Sequence, residues 1–93
     1  MAIKSFKCKD TEALFAGQRV KRWVNIERPA LRKLAQLDWS LTLDDLRAPA
    51  GNGLEALKAD RNGQHSIRIN AQWRLCFVWS DEGAADVEIV DYH

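Results

Sequence analysis

Trp73, Leu75, Phe77 and Trp79 occupy alternate positions, and Arg74 has the opposite parity. A period of two over this length predicts a half-buried strand from Trp73 to Ser80. His65 to Ile69 alternates in the same way, with Ile67 and Ile69 on one side. Asn62-Gly63 before it is a turn signal, and Asp81-Glu82-Gly83 marks the turn after Ser80. Val87 and Ile89 then alternate with Glu88 and Val90 in a last strand that runs to the C-terminus. Leu54 to Ala59 reads as a further short strand ahead of the Asn62-Gly63 turn.

The front of the chain has a different period. Ile3 to Cys8 alternates and predicts a short strand. Asp10 or Thr11 then caps a helix, with Glu12 near its positive end and Gly17 as its stop. Pro29 suits the first turn of a second helix. Leu31, Leu34, Leu37 and Leu41 follow at near-helical spacing, with Arg32, Lys33 and Gln36 off that stripe. Residues 42–53 are loop-like, with Pro49, Gly51, Asn52 and Gly53 close together.

The order is βααβββ(β), an α+β pattern: two N-terminal helices on one face of an antiparallel sheet. Short turns between consecutive strands favour antiparallel pairing. The apolar sheet face packs on the helices, and the other face carries Arg68, Arg74 and Glu88. A three-residue loop, Asn70 to Gln72, pairs Ile69 with Trp73 and sets Arg68 beside Arg74. A slip of one residue would undo that pairing.

Composition narrows the class. A chain of 93 residues is expected to form a single domain, residues 1–93. With 46% hydrophobic residues it has the makings of a core and is not a disordered tail. No run of about 18 apolar residues is present, so no membrane partner is expected. The opening Met-Ala-Ile-Lys-Ser-Phe-Lys lacks the apolar stretch of a signal peptide, which places the expected location in the cytoplasm. Cys8 and Cys76 form no CxxC motif and read as small buried thiols. His65 and His93 are the only histidines. Neither a metal site nor a cofactor is expected, and His65 reads as structural or merely exposed.

The net charge of +1 says little, but its distribution says more. Residues 1–47 hold 10 basic and 6 acidic side chains; residues 48–93 hold 4 and 7. Arg19, Lys21, Arg22, Arg28, Arg32 and Lys33 cluster around the single acid Glu27. Such a stretch either follows a phosphate backbone or is a solvated helix face.

The bridge and strands read GNGLEALKADRNGQHSIRINAQWRLCFVW, and the chain closes VEIVDYH. Leu57-Lys58 followed by Asp60-Arg61-x-Gly63, then Asn70-x-x-Trp73-Arg74, then Asp91-Tyr92-His93, resembles the HigB family of the RelE superfamily, the plasmid-maintenance killer toxins. Ile-Lys-Ser-Phe-Lys is similar to that family's start, and the resemblance covers essentially the whole chain. It implies a RelE-like antiparallel sheet with two helices on one side. It also implies a type II toxin that cuts translated mRNA in the A site of the small ribosomal subunit, without metal. The products would be a 2′,3′-cyclic phosphate and a free 5′-hydroxyl. The implied partners are the ribosome, mRNA and a HigA-type helix-turn-helix antitoxin, with operator DNA reached only through the toxin–antitoxin complex. One position departs from the better-known pattern: Glu55-Ala56 stands where a His-Pro pair precedes Leu-Lys, so no histidine base carries over there.

Such chemistry needs a base, cations for the phosphorane and an acid for the leaving oxygen. Arg74 either holds a phosphate bidentately or closes a salt bridge to Glu88 or Asp91; the resemblance favours the first. Lys58 is the second cation. Tyr92 can stack on a base, His93 can move a proton near neutral pH, and Asp91 completes the terminal group. Glu55 is a candidate base or a partner of Lys58. On a strand those two would face opposite ways, so pairing them needs a loop or bulge. Arg61 and Arg68 are candidate RNA contacts. Arg19, Lys21, Arg22, Arg32 and Lys33 are candidate ribosomal RNA contacts. With Glu55 in place of histidine, the competing reading is a catalytically weak or inactive toxin-fold module that acts mainly as a corepressor beside its antitoxin.

Overall fold

The alternation over Trp73–Ser80 becomes a strand of those same residues in a computed structural model that describes residues 2–91. Helix α1 (Lys9–Phe15) and helix α2 (Glu27–Trp39) precede four strands: β1 (Glu55–Ala56), β2 (His65–Arg68), β3 (Trp73–Ser80) and β4 (Gly83–Asp91). The strands pair antiparallel in the order β1-β2-β3-β4.

Register follows from the loops. Arg68 faces Arg74 and Ile67 faces Leu75, so the β2–β3 loop is the three-residue one expected. Asn70 is why it closes there. Its side-chain oxygen accepts from the N–H groups of Gln72 and Trp73, both at 2.8 Å, and so substitutes for a backbone turn. Between β3 and β4 the register shifts between Cys76 and Val78. Asp86 and Val87 together stand opposite Phe77, a bulge in which Asp86 takes φ 52°.

The predicted Ile3–Cys8 strand forms no continuous ladder. It meets β4 in two parallel bridges, Ile3 to Ala84 and Phe6 to Val87. The β4 bulge interrupts the pairing. Ser5 serves the bulge twice, through its carbonyl to Val87 N–H at 3.1 Å and its hydroxyl to Asp86 N–H at 2.9 Å. Gly83 makes this edge possible: a Cβ there would sit 2.0 Å from the Ala2 carbonyl oxygen, on a backbone with φ +124°.

The helices differ from expectation at their ends. α1 starts two or three residues early, after Cys8, with no side-chain cap. Thr11 is instead buried, and its hydroxyl accepts from Ile89 N–H at 3.2 Å, fastening α1 to β4. Gly17 ends α1 as read, with Gly17 N–H to Leu14 and Gln18 N–H to Ala13 closing the last turn. Pro29 lies in the first turn of α2, which follows a 3₁₀ turn over Lys21–Ile26. Leu34 and Leu37 are fully buried and Leu31 packs beside them. Leu41 does not extend that stripe. α2 stops at Trp39, and Leu41 is 89% exposed. Within 42–53 two 3₁₀ turns form, Leu43–Arg47 and Ala50–Asn52, the first closed by a reciprocal Thr42–Asp45 capping box.

The core lies between the helices and one sheet face: Leu14, Trp23, Leu34 and Leu37 meet Ile67, Leu75, Phe77 and Val87. Burying each such side chain is worth about 1.5–3 kcal/mol. The opposite face is drier than its polar parity suggested. Ser66 and Cys76 are buried on it, and Leu57 is buried as well, outside the main core.

Candidate active site

Two rows of side chains cross the face opposite the helices. One is Glu55, Ser66, Cys76 and Glu88; the other is Arg68, Arg74 and Val90. The Arg74 side chain reaches from the second row to the first. Its Nε donates to Ser66 Oγ at 2.8 Å, and its Nη2 donates to the carbonyl oxygens of Gly53 and, at 3.4 Å, Ser66. Its side chain is 13% exposed, and Glu55 Oε1 lies 3.9 Å from Nε. A guanidinium held by fixed acceptors is oriented before any substrate arrives. Among the described residues Arg74 pairs with Glu55, not with the Glu88 or Asp91 considered from sequence.

The Gly53 carbonyl is itself held from behind. Asn52 is fully buried, and its amide nitrogen donates to Gln36 Oε1 and to the carbonyls of Leu46 and Ala48. Its amide oxygen accepts from Lys33 Nζ. Gly53 takes φ 52°, a left-handed conformation that points its carbonyl at Arg74. A chain of bonds thus runs from α2 through Asn52 and Gly53 to the guanidinium. Sequence reasoning missed Ser66, Asn52 and Gly53 as part of this site. Parity was the available signal for Ser66, which shares the side of Arg68 and Arg74.

The other candidate residues are placed as follows. Glu55 lies on β1, half-exposed beside Arg74. Lys58 lies beyond the two residues of β1, where it opens the 3₁₀ turn Ala59–Arg61, so strand alternation does not govern its direction. It is exposed, next to buried Leu57. Arg61 is turned inward, to Glu88 at 3.0 Å and Gln64 at 3.1 Å, and Glu88 also meets Lys7 at 3.7 Å. Arg68 is exposed and donates to the Asn70 carbonyl at 3.0 Å. Asp91 pairs with Trp73 in the register, which puts it on the side away from Arg74, and Gln72 donates to it at 3.1 Å. Tyr92 and His93 lie outside the described residues.

The N-terminal cations divide. Arg19, Lys21 and Arg32 are exposed. Arg22 pairs with Asp10 at 3.2 Å and lies over the Trp23 ring at 4.2 Å. Lys33 is committed to Asn52, and burial, then the charge of Arg32, holds its amine below the ordinary 10.5. Burial also pushes the Cys76 thiol above its ordinary 9.0, which keeps it protonated and unreactive at neutral pH. The His65 ring stacks on Phe77 at 6.4 Å, a packing role.

Two solved structures share this fold. The structure superposes on a YoeB–YefM complex from Staphylococcus aureus with TM-score 0.62 and 18% identity, covering 100% of this chain and 99% of that one. It superposes on YafQ from E. coli strain BL21(DE3) with TM-score 0.59 and 19% identity, covering 96% and 90%. The class comes from the sequence: residues 4–93 match the family described as the RelE-like toxin of type II toxin–antitoxin system HigB. The chain is 39% identical over 95 residues to Toxin HigB-1 of Vibrio cholerae serotype O1, covering 100% of this chain and 98% of that one. It is also 37% identical over 57 residues to an uncharacterized protein of Haemophilus influenzae, covering 61% and 56%. The chain belongs to the HigB-like toxin family.

Proposed function

We propose that this toxin is a ribosome-dependent endoribonuclease that cuts translated mRNA in the A site and is neutralised by a HigA-type antitoxin. One observation supports the chemistry above the others: Arg74 is an oriented guanidinium, fixed by Ser66 and Gly53 and set beside Glu55. In the proposed reaction the 2′-oxygen attacks the adjacent phosphorus and the bond to the 5′-oxygen breaks. A 2′,3′-cyclic phosphate and a 5′-hydroxyl result. Arg74 neutralises the charge that gathers on the phosphorane oxygens. Glu55, on the same face, accepts the 2′-hydroxyl proton. Lys58 adds a second positive charge. The leaving oxygen takes its proton from His93, and Tyr92 stacks on a base. The weak net charge of +1 gives little non-specific hold on RNA, which makes presentation of the message by the ribosome part of the mechanism.

The same Glu55 favours a second reading, because a carboxylate 3.9 Å from Arg74 competes with an incoming phosphate. A weakened toxin of this kind would act mainly as corepressor with its antitoxin. Expression without antitoxin separates the two. A nuclease arrests growth and leaves new ends inside reading frames by primer extension, and Arg74→Ala relieves both. Arrest without new ends, or arrest that survives Arg74→Ala combined with Lys58→Ala, refutes the catalytic assignment.

A further inference from the structure

Trp39 and Leu41 are 81% and 89% exposed, although α2 is otherwise seated on the core. A soluble surface gains nothing from leaving a Trp and a Leu side by side in water. They border a groove of about 380 Å³ between the end of α2 and the β3–β4 hairpin, together with Trp79, Asp38, Asp81 and Glu82. Trp39 also borders a second, larger groove on its other flank, about 540 Å³, beside Arg32 and Pro49. Trp39 is therefore a ridge with a space on each side.

The hairpin groove lies five residues along β3 from Arg74, roughly 17 Å at the rise of a strand. A side chain seated in it does not need to touch Arg74. Its charge argues for the kind of occupant. Three carboxylates and, among the described residues, no cation border it, which disfavours an RNA phosphate backbone. A second copy meeting it about a two-fold axis would set the same three carboxylates against one another. What fits is another protein that offers an apolar side chain to Trp39, Leu41 and Trp79 and basic groups to Asp38, Asp81 and Glu82.

We propose that this groove is the docking surface for the antitoxin, through an apolar anchor flanked by basic residues. The inference rests on the toxin–antitoxin reading above. It implies that neutralisation includes contacts remote from Arg74, which the antitoxin can hold without entering the catalytic face.

The test uses the full-length toxin and the purified product of the neighbouring reading frame, with Trp39→Glu combined with Leu41→Glu. Both side chains are exposed, so the fold should stand, as circular dichroism and a urea midpoint check. The dissociation constant should rise at least about 30-fold, as for loss of a buried aromatic anchor. Ribosome-dependent cleavage without antitoxin should be unchanged. Asp81→Lys with Glu82→Lys should weaken binding less and flatten its salt dependence. Binding within twofold of wild type in the Trp39/Leu41 variant overturns the surface assignment. So does a loss of ribosomal cleavage, which assigns the groove to the ribosome. Loss of a toxin dimer with antitoxin affinity intact also overturns it, and assigns the groove to a second copy. Failure of wild-type toxin to bind the antitoxin at all instead overturns the toxin–antitoxin reading on which it rests.

Discussion

The cations of the helical half and those of the sheet carry the same charge and are held differently. Arg19, Lys21 and Arg32 extend into solvent from the 3₁₀ turn, α2 and the segment before them. Arg74 and Arg61 are pulled back against the sheet by specific acceptors. Solvated cations at a surface attract a polyanion from a distance and adapt to it, at an energy that salt removes. A pinned guanidinium has already lost its freedom and suits a charge that exists only in a transition state. The division of labour proposed for this toxin, docking by the front and chemistry by the sheet, is a physical statement that can be broken.

The largest effect should come from Arg74→Lys. It keeps the charge and loses the planar fork. Single-turnover cleavage on translating ribosomes should fall about 10²–10³-fold, the usual loss for one pre-placed donor. Ribosome affinity should stay within about twofold. A matching fall in affinity would erase the distinction between docking and chemistry.

Asn52→Ala removes the amide that ties Lys33 to the turn beneath Gly53. It leaves the Leu46 carbonyl and the Lys33 amine without their Asn52 partner, at a cost of about 1–3 kcal/mol, while the Ala48 carbonyl keeps Gln36. Urea unfolding should show this as a lower midpoint with an unchanged slope. Lys33→Met should cost less than Asn52→Ala, since it removes one bond of the set. If Lys33→Met instead changes only ribosome binding, Lys33 belongs with the solvated cations after all.

Reversing Arg19, Lys21 and Arg32 to Glu should lower ribosome affinity by about tenfold or more at physiological salt and reduce its salt slope. Cleavage per bound toxin should persist. Unchanged co-sedimentation with ribosomes would remove the docking role from the helical half.

The smallest effect concerns pH. Asp45 is held below its ordinary 3.8 by accepting the N–H groups of Thr42 and Leu41. Its contribution is complete above about pH 4, the unfolded value, and is lost as pH falls through the lower folded value. Thermal melts from pH 5 downward should show a smaller acid loss in Asp45→Asn than in wild type. Identical acid limbs would show that the capping box adds nothing.

Much of the sheet was legible because its signals are local. The period of Trp73–Ser80, the Asn70 loop and the parity that put Arg68 beside Arg74 can all be read within a few residues. The α2 stripe was legible for the same reason through Leu37. Leu41 was misread because four-residue spacing continues past Trp39 even though the helix does not. The Ile3–Cys8 alternation marked an extended segment correctly but could not reveal the β4 bulge that breaks its pairing. At the site, Arg74 was legible as a polar interruption of an apolar strand. Of its companions, Ser66 had parity as its one signal, and Gly53 and Asn52 have no distinctive spacing from it.

The sequence by itself determined the order of the two helices and of the last three strands, which side of the sheet is apolar, and, through its resemblance, the family. Those properties follow from periodicity, turn chemistry and ordered motifs, all written along the chain. The tertiary structure alone decided that Gly53, 21 positions away, holds Arg74, that Lys33 serves Asn52, and that Asp91 lies on the side of Trp73. It also left Trp39 and Leu41 uncovered. A hydrogen-bond partner or a missing neighbour is settled by which segments meet in space, and no local pattern encodes that meeting.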